Sequence, residues 1–181
     1  MLGSMKKTGL VLGCVLALPA PAIAAPTQGT AGATSTGSVG ISATIPGRVQ
    51  ISGLSDIAFG TVDPSTAASS AENLCVWSNT SGKGYTVTAL GSGTSNAFTL
   101  TDGTNNLAYS VEWAGTTGQT SGTALTSGTA LGSLTTTAVN PTCSTGAAST
   151  ASLIVKMSQA NLQAAVASSY NGTLTLVVAP Q

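Results

Sequence analysis

The sequence predicts an all-β fold, a β-sandwich built from two sheets. Short segments in which apolar and polar residues alternate recur along the chain, and this period of two is typical of strands with one buried face. Clusters of Gly, Ser, Asn and Asp separate these segments at intervals of about 8 to 12 residues, as in sandwiches. Only residues 159–167 are predicted to form a helix, so the fold class is all-β.

The first 24 residues are predicted to be a secretory signal peptide. Lys6 and Lys7 form a basic start, an apolar segment follows, and Ala22-Ile23-Ala24 is a small-residue cleavage site. Residues 1–4 are interpreted as an extension ahead of the usual signal start. A lipoprotein signal that ends at Cys14 is the alternative. Because no later segment is apolar enough to span a bilayer, no membrane insertion is expected.

Residues 25–45 are predicted to be a flexible leader that carries a separate strand. Residues 25–37 are small and polar, so they cannot order themselves by burial. The alternation then begins, with Val39, Ile41, Ala43 and Ile45 on one face. This strand is either the first strand of a complete sandwich or a strand that pairs with another molecule. The mobile leader favours the second interpretation.

Residues 46–181 are predicted to be the sandwich domain. The predicted strands are 49–51, 57–62, 73–78, 84–90, 97–101, 107–113, 152–157 and 173–179. A turn is predicted at 102–106, and a long loop with one or two edge strands at 115–138. The last strand carries Leu174, Leu176 and Val178 on one face. It leaves an open sheet edge that the N-terminal strand of a neighbouring copy could fill, which favours assembly over catalysis.

Composition argues against catalysis, cofactor binding and metal binding. The chain has no histidine, and its five carboxylates are scattered, so no acid/base pair or metal-ligand cluster is predicted. After the predicted signal, the chain carries three cations, Arg48, Lys83 and Lys156, and five carboxylates, so its net charge is 3 − 5 = −2. No basic patch is present for nucleic acid. The chain is therefore not expected to be an enzyme.

Cys75 and Cys143 are the two cysteines that follow the predicted signal. In an exported protein an even number of cysteines favours pairing, so one intramolecular disulfide is predicted. Two buried free thiols are the alternative.

Five features, taken in order over residues 37–181, resemble the spore coat protein U-like domain of archaic chaperone-usher pilus subunits. They are the alternating strand at 39–45, the strand at 49–51, the element Ile57-Ala58-Phe59-Gly60, the strand cysteine Cys75, and the closing segment Tyr170-Asn171-Gly172-Thr173-Leu174-Thr175-Leu176. The chain departs from that family where Arg48-Val49 replaces a cysteine that opens the first strand. It departs again where Asn171-Gly172 replaces an acidic residue.

The resemblance implies an incomplete immunoglobulin-like sandwich that a donor strand from a neighbouring subunit completes. It implies a surface pilus used in adhesion and biofilm formation. The partners would be identical or related pilin subunits, a periplasmic chaperone and an outer-membrane usher. The donor residues would be Val39, Ile41, Ala43 and Ile45, and the acceptor edge would carry Leu174, Leu176 and Val178.

A binding module is the alternative function, either a tip adhesin or a secreted carbohydrate-binding sandwich. Trp77, Trp113, Tyr85 and Tyr109 could form an aromatic platform for a sugar ring. Aromatic residues on strands more often pack in the core. A single domain with its own donor strand favours a rod subunit over a tip.

Overall fold

The computed structural model describes residues 24–181. The chain divides into two compact units, Met1–Ile45 and Pro46–Gln181. The predicted signal peptide, apart from Ala24, and Cys14 lie outside the described residues. Within residues 24–181, no helix has the length and apolar character to cross a membrane.

The described part of the first unit, residues 24–45, contains one antiparallel bridge. Thr27 and Ser38 form an antiparallel bridge in which each backbone N–H donates to the other's carbonyl at 2.9 Å. Residues 39–45 form no strand. The side chains of Val39, Ile41 and Ile45 are 73%, 91% and 82% exposed. This unit therefore presents apolar side chains that it does not bury itself.

The second unit contains ten strands and one short helix. The elements are β1 Val49–Ser52, β2 Ala68–Ser78, β3 Gly84–Gly91, β4 Thr99–Thr101, β5 Asn106–Ala108, β6 Ser110–Ala114, β7 Thr123–Ala124, β8 Leu131–Thr135, β9 Ala151–Met157, α1 Gln159–Ala164 and β10 Leu174–Pro180. The all-β class predicted from the alternation is confirmed.

The strands form three antiparallel sheets. The largest has the order β1-β2-β9-β6-β7, a second has the order β10-β3-β8, and β4 pairs with β5 in a hairpin. Asp102 closes that hairpin by accepting hydrogen bonds from the backbone N–H groups of Thr104 and Asn105. The predicted turn at 102–106 is therefore confirmed.

The core lies between the two larger sheets. Leu74, Trp113 and Leu153 contribute from the five-stranded sheet, and Tyr85 and Val87 contribute from the three-stranded sheet. All five side chains are 3% exposed or less. In β3 the buried side chains alternate strictly with half-buried ones, which is the period that the sequence displays.

The helix α1 is shorter than predicted. Its first turn is capped by Ser158, whose hydroxyl accepts a hydrogen bond from the Asn161 backbone N–H at 3.1 Å. It ends at Ala164 because Ala165 takes an extended backbone conformation. The prediction extended it to residue 167, where no cap residue marks the end.

Residues 57–62 were predicted to be a strand, and this prediction is wrong. Ile57, Phe59 and Val62 do pack against the core, which explains the alternation, but the backbone pairs with no neighbouring strand. Gly60 adopts a φ of +64°, a left-handed conformation that interrupts an extended strand. The period of two therefore came from packing without strand pairing.

The predicted strand at 107–113 is two strands that meet at Tyr109. Its backbone N–H donates to the Phe98 carbonyl at 2.9 Å. Before this point β5 pairs with β4, and after it β6 pairs with β9. A change of pairing partner is a long-range property, so no local pattern shows it. The predicted edge strands in 115–138 are confirmed as β7 and β8.

Candidate strand-binding groove

The last strand, β10, has one unpaired edge. On one side it pairs with β3 from Leu174 opposite Gly91 to Pro180 opposite Tyr85. On its other side, no backbone between residues 24 and 181 pairs with it. An unpaired row of backbone N–H and C=O groups is a template for another strand.

A groove of about 540 Å³ lies beside this edge. One wall comes from residues 54–59 and the other from residues 171–176. The lining also includes three side chains of β9, namely Leu153, Val155 and Met157. Leu100 of β4 and Tyr109, which lies between β5 and β6, complete this part of the lining. These five side chains also pack in or against the core, whereas polar residues such as Ser55, Asn171 and Thr173 line the rest of the groove.

The segment that faces β10 runs in the opposite direction to it. Gly47 lies against Pro180, where a Cβ added to the glycine would be 3.7 Å from the Cβ of the proline. Residues of the segments 54–59 and 171–176 line the same groove. The segment from 47 to 59 therefore begins at the C-terminal end of β10 and passes its N-terminal end.

The segment 53–62 leaves the groove open because it pairs with neither sheet. β1 pairs with β2 only from Val49 opposite Ser78 to Ser52 opposite Cys75. Gly53 then takes a φ of +77°, which turns the chain away from the ladder. A second opening of about 500 Å³ separates residues 53–58 from Ser70–Asn73 of β2. Residues 53–62 therefore form a wall, and they do not close the sheet.

Two carboxylates lie on the groove, Asp56 and Glu72. Glu72 is half-buried, and its Oε1 accepts hydrogen bonds from the backbone N–H and the hydroxyl of Ser55. Asp56 is exposed, and its carboxylate has no hydrogen-bond or ion-pair partner among residues 24–181. The rim at this end of the groove is therefore acidic.

The predicted acceptor residues lie where the groove forms, with one exception. Leu174 and Leu176 line it, whereas Val178 packs against the core outside the groove lining. The predicted donor residues Val39, Ile41, Ala43 and Ile45 belong to the first unit, and all four are exposed.

Sequence reasoning missed most of the groove. The β9 side chains have the pattern of an ordinary core strand. Leu100 in β4 and Tyr109 between β5 and β6 are distant from β9 and β10 in sequence. The alternation of Ile57 and Phe59 indicates that these side chains share a core-facing side, but it predicts a paired strand where none forms.

The predicted disulfide joins Cys75 and Cys143, with their Cα atoms 5.9 Å apart. Cys75 lies in β2 opposite Ser52 of β1. The disulfide therefore anchors the loop after β8 close to β1, the edge strand of the five-stranded sheet. The same loop is held to Val76, whose carbonyl accepts hydrogen bonds from the hydroxyls of Thr136 and Thr150. The prediction of one intramolecular disulfide is confirmed.

The aromatic platform considered for sugar binding does not form. Trp113, Tyr85 and Tyr109 are 1%, 0% and 8% exposed and belong to the core. Burial raises the pKa of the Tyr85 and Tyr109 hydroxyls. Trp77 packs against the disulfide cluster. The aromatic residues therefore give no support to the carbohydrate-binding alternative.

An ion pair links β6 and β9, two neighbouring strands of the five-stranded sheet. Lys156 Nζ lies 2.7 Å from both carboxylate oxygens of Glu112. Its hydrogen bond, together with one from the Gly122 backbone N–H, lowers the pKa of Glu112. Among residues 24–181, no three potential metal-ligating side chains of His, Cys, Asp or Glu come together.

No protein-family model matches this chain, and no curated protein matches it. The groove, the unpaired edge of β10 and the exposed N-terminal segment are the features of this chain that bear on its function.

Proposed function

We propose that this chain is a structural subunit of a chaperone-usher pilus that polymerises head to tail by donating an N-terminal strand. The single observation that carries the proposal is the unpaired edge of β10 beside a groove that exposes apolar core side chains. The same chain supplies an alternating segment whose apolar side chains are exposed. The groove lacks a strand, and residues 38–45 have the pattern of one.

The lengths of the two segments match. Residues 38–45 span about 26 Å when extended, at about 3.3 Å per residue. The seven residues of β10 span about 23 Å on the same scale. A donor of this length is therefore long enough to pair with β10 where Leu174 and Leu176 line the groove.

Burial of apolar side chains would supply most of the binding energy. Each larger aliphatic side chain contributes roughly 1.5 to 3 kcal/mol. Val39, Ile41 and Ile45, together with Ala43, would give a joint on the order of 5 to 9 kcal/mol before ordering costs. Backbone hydrogen bonds to β10 add to this, as in other strand-addition complexes.

The contact is heterologous, so it does not close. The donor segment and the groove are different surfaces of one chain, and repetition of such a contact produces a filament. A subunit with an empty groove would aggregate through its free edge. This explains the need for a periplasmic chaperone that occupies the groove and an outer-membrane usher where the exchange takes place. Surface adhesion and biofilm formation are the roles of the resulting fibre.

Two N-terminal deletions test the proposal. Deletion of residues 25–45 removes leader and donor, whereas deletion of residues 25–37 removes the leader alone and serves as the matched control. We expect electron microscopy of cells that express the whole assembly cluster to show fibres for the second variant and none for the first. Fibres made from the variant without residues 25–45 would refute the donor assignment.

A further inference from the structure

The two charged side chains without partners in the described structure lie at positions where they could meet across the proposed joint. The Arg48 guanidinium has no partner among residues 24–181, whereas Lys83 donates to the Ala138 carbonyl and Lys156 pairs with Glu112. The Asp56 carboxylate on the groove rim likewise has none in that range. All other described carboxylates accept hydrogen bonds.

We propose that Arg48 of the donating copy forms an ion pair with Asp56 on the groove rim of the accepting copy, and that this pair fixes the direction of strand insertion. This inference rests on the proposed function. The neighbouring carboxylate of Glu72 adds to the negative potential at the same end.

The position of Arg48 in the chain supports this pairing. It lies three residues after Ile45, about 10 Å further along an extended chain. It therefore emerges from the groove at whichever end receives the C-terminus of the donor strand. Its charge is then presented to the rim of the accepting copy.

The two ends of the groove differ in charge. Asp56 lines the groove together with residues 171–174 at the start of β10, so a donor antiparallel to β10 brings its Arg48 towards this carboxylate. A donor parallel to β10 would bring it to the Pro180 end. There Gly47 of the accepting copy lies against Pro180, and the accepting copy's own Arg48 follows directly. Electrostatic complementarity thus favours antiparallel insertion, because like charges suppress the alternative.

A charge exchange tests the pair in assembled fibres. Arg48→Glu and Asp56→Arg are each expected to slow fibre assembly about fivefold to tenfold at low salt, since rim charges act mainly on association rate. The double variant, Arg48→Glu with Asp56→Arg, is expected to recover most of the wild-type rate. Lys83→Glu makes the same change in net charge as Arg48→Glu outside the groove lining, and it should assemble like wild type.

Salt provides the second readout. Wild-type assembly should slow as the salt concentration rises from about 0.05 to 0.5 M, because screening shortens the reach of the pair. Arg48→Glu should lose this dependence or reverse it. Lys83→Glu should keep the wild-type dependence, and a loss in this variant too would indicate a general effect of surface charge in place of a direct ion pair.

The outcomes separate this inference from the proposed function. Wild-type fibres together with unchanged assembly of Arg48→Glu would overturn the ion pair and leave strand donation standing. Slowed assembly that the double variant fails to restore would also overturn the pair, because Arg48 would then act elsewhere. An absence of fibres from the wild-type chain would refute the proposed function itself.

Discussion

The indole Nε1 of Trp113 donates a 3.2 Å hydrogen bond to the hydroxyl of Tyr85 in the middle of the core. Trp113 belongs to the five-stranded sheet and Tyr85 to the three-stranded sheet, and their rings pack edge to face with centroids 6.4 Å apart. This contact joins the two sheets that flank the proposed groove. It is also a buried polar contact, and such contacts are costly to break.

In a chain that lacks residues 25–45 and carries residues 38–45 after Gln181, Tyr85→Phe should therefore lower stability by about 1 to 3 kcal/mol, because the indole N–H would lose its only described partner in a buried site. Urea unfolding followed by tryptophan fluorescence measures the change. Tyr109→Phe is the matched control, since the Tyr109 hydroxyl has no hydrogen-bond partner in the described part of the chain. Equal stability of the two variants would show that the Trp113 bond contributes nothing measurable.

Replacing both cysteines by serine should lower the free energy of unfolding by about 4 kcal/mol. The disulfide closes a loop with a sequence separation of 68 residues, and the entropic model assigns that magnitude to a loop of this length. The measurement is the urea midpoint of Cys75→Ser with Cys143→Ser, with the reduced wild type as control. Coincident unfolding curves for oxidised and reduced wild type would contradict this role.

The ion pair between Glu112 and Lys156 should make stability depend on pH in the acid range. The folded-state pKa of Glu112 lies below its ordinary value of 4.5. The stabilisation is therefore present above about pH 4.5 and is lost as the pH falls through the lowered folded-state pKa. Because the pair is partly exposed, it contributes about 1 kcal/mol or less at neutral pH.

Unfolding free energy measured between about pH 6 and pH 3 tests this dependence. Glu112→Gln should lose less stability over that range than the wild type. Lys156→Gln should flatten the curve similarly, because the lysine hydrogen bond is the largest cause of the shift. A curve for Glu112→Gln that runs parallel to the wild-type curve would rule out this pair as a source of acid sensitivity.

A charge on the apolar face of the donor strand should prevent assembly. Ile41→Asp would place a carboxylate among the groove side chains, and burial of an unpaired charge is strongly unfavourable. Ser42→Asp adds the same charge one residue away, on the opposite face of the strand. We expect fibres from Ser42→Asp and a loss of fibre yield of at least about tenfold from Ile41→Asp.

Normal fibre yield from Ile41→Asp would exclude Ile41 as an anchor. Equal loss from both variants would indicate that added charge, and not the buried face, prevents assembly.

Local patterns in the sequence predicted most of the strands, the disulfide and the open last strand. Alternation located β1, β3, β9 and β10 to within one residue at most of their ends, because each has one face in the core. The errors at 57–62 and at Tyr109 have a different origin. In both places the pattern of buried side chains continues while the backbone pairing ends or changes partner, and pairing depends on residues distant in sequence.

The groove itself could be predicted only in part. Leu174 and Leu176 were identified from the pattern of the last strand, and they line it. The floor from β9 and the wall at 54–59 could not be predicted, because no local signal shows which core residues a missing strand would leave uncovered. The acidic rim needed the same three-dimensional information, since Asp56 and Glu72 lie on different segments.

The central claim is that each folded copy takes its missing strand from another copy. The most direct measurement attaches residues 38–45 after Gln181 of a chain that lacks residues 25–45, through a flexible linker of about four residues. Sedimentation and thermal unfolding then follow its mass and stability, with the same chain carrying Ile41→Asp in the attached segment as control. The account predicts a stable monomer whose midpoint lies about 10 °C or more above that of the control. Equal midpoints for the two chains would contradict it.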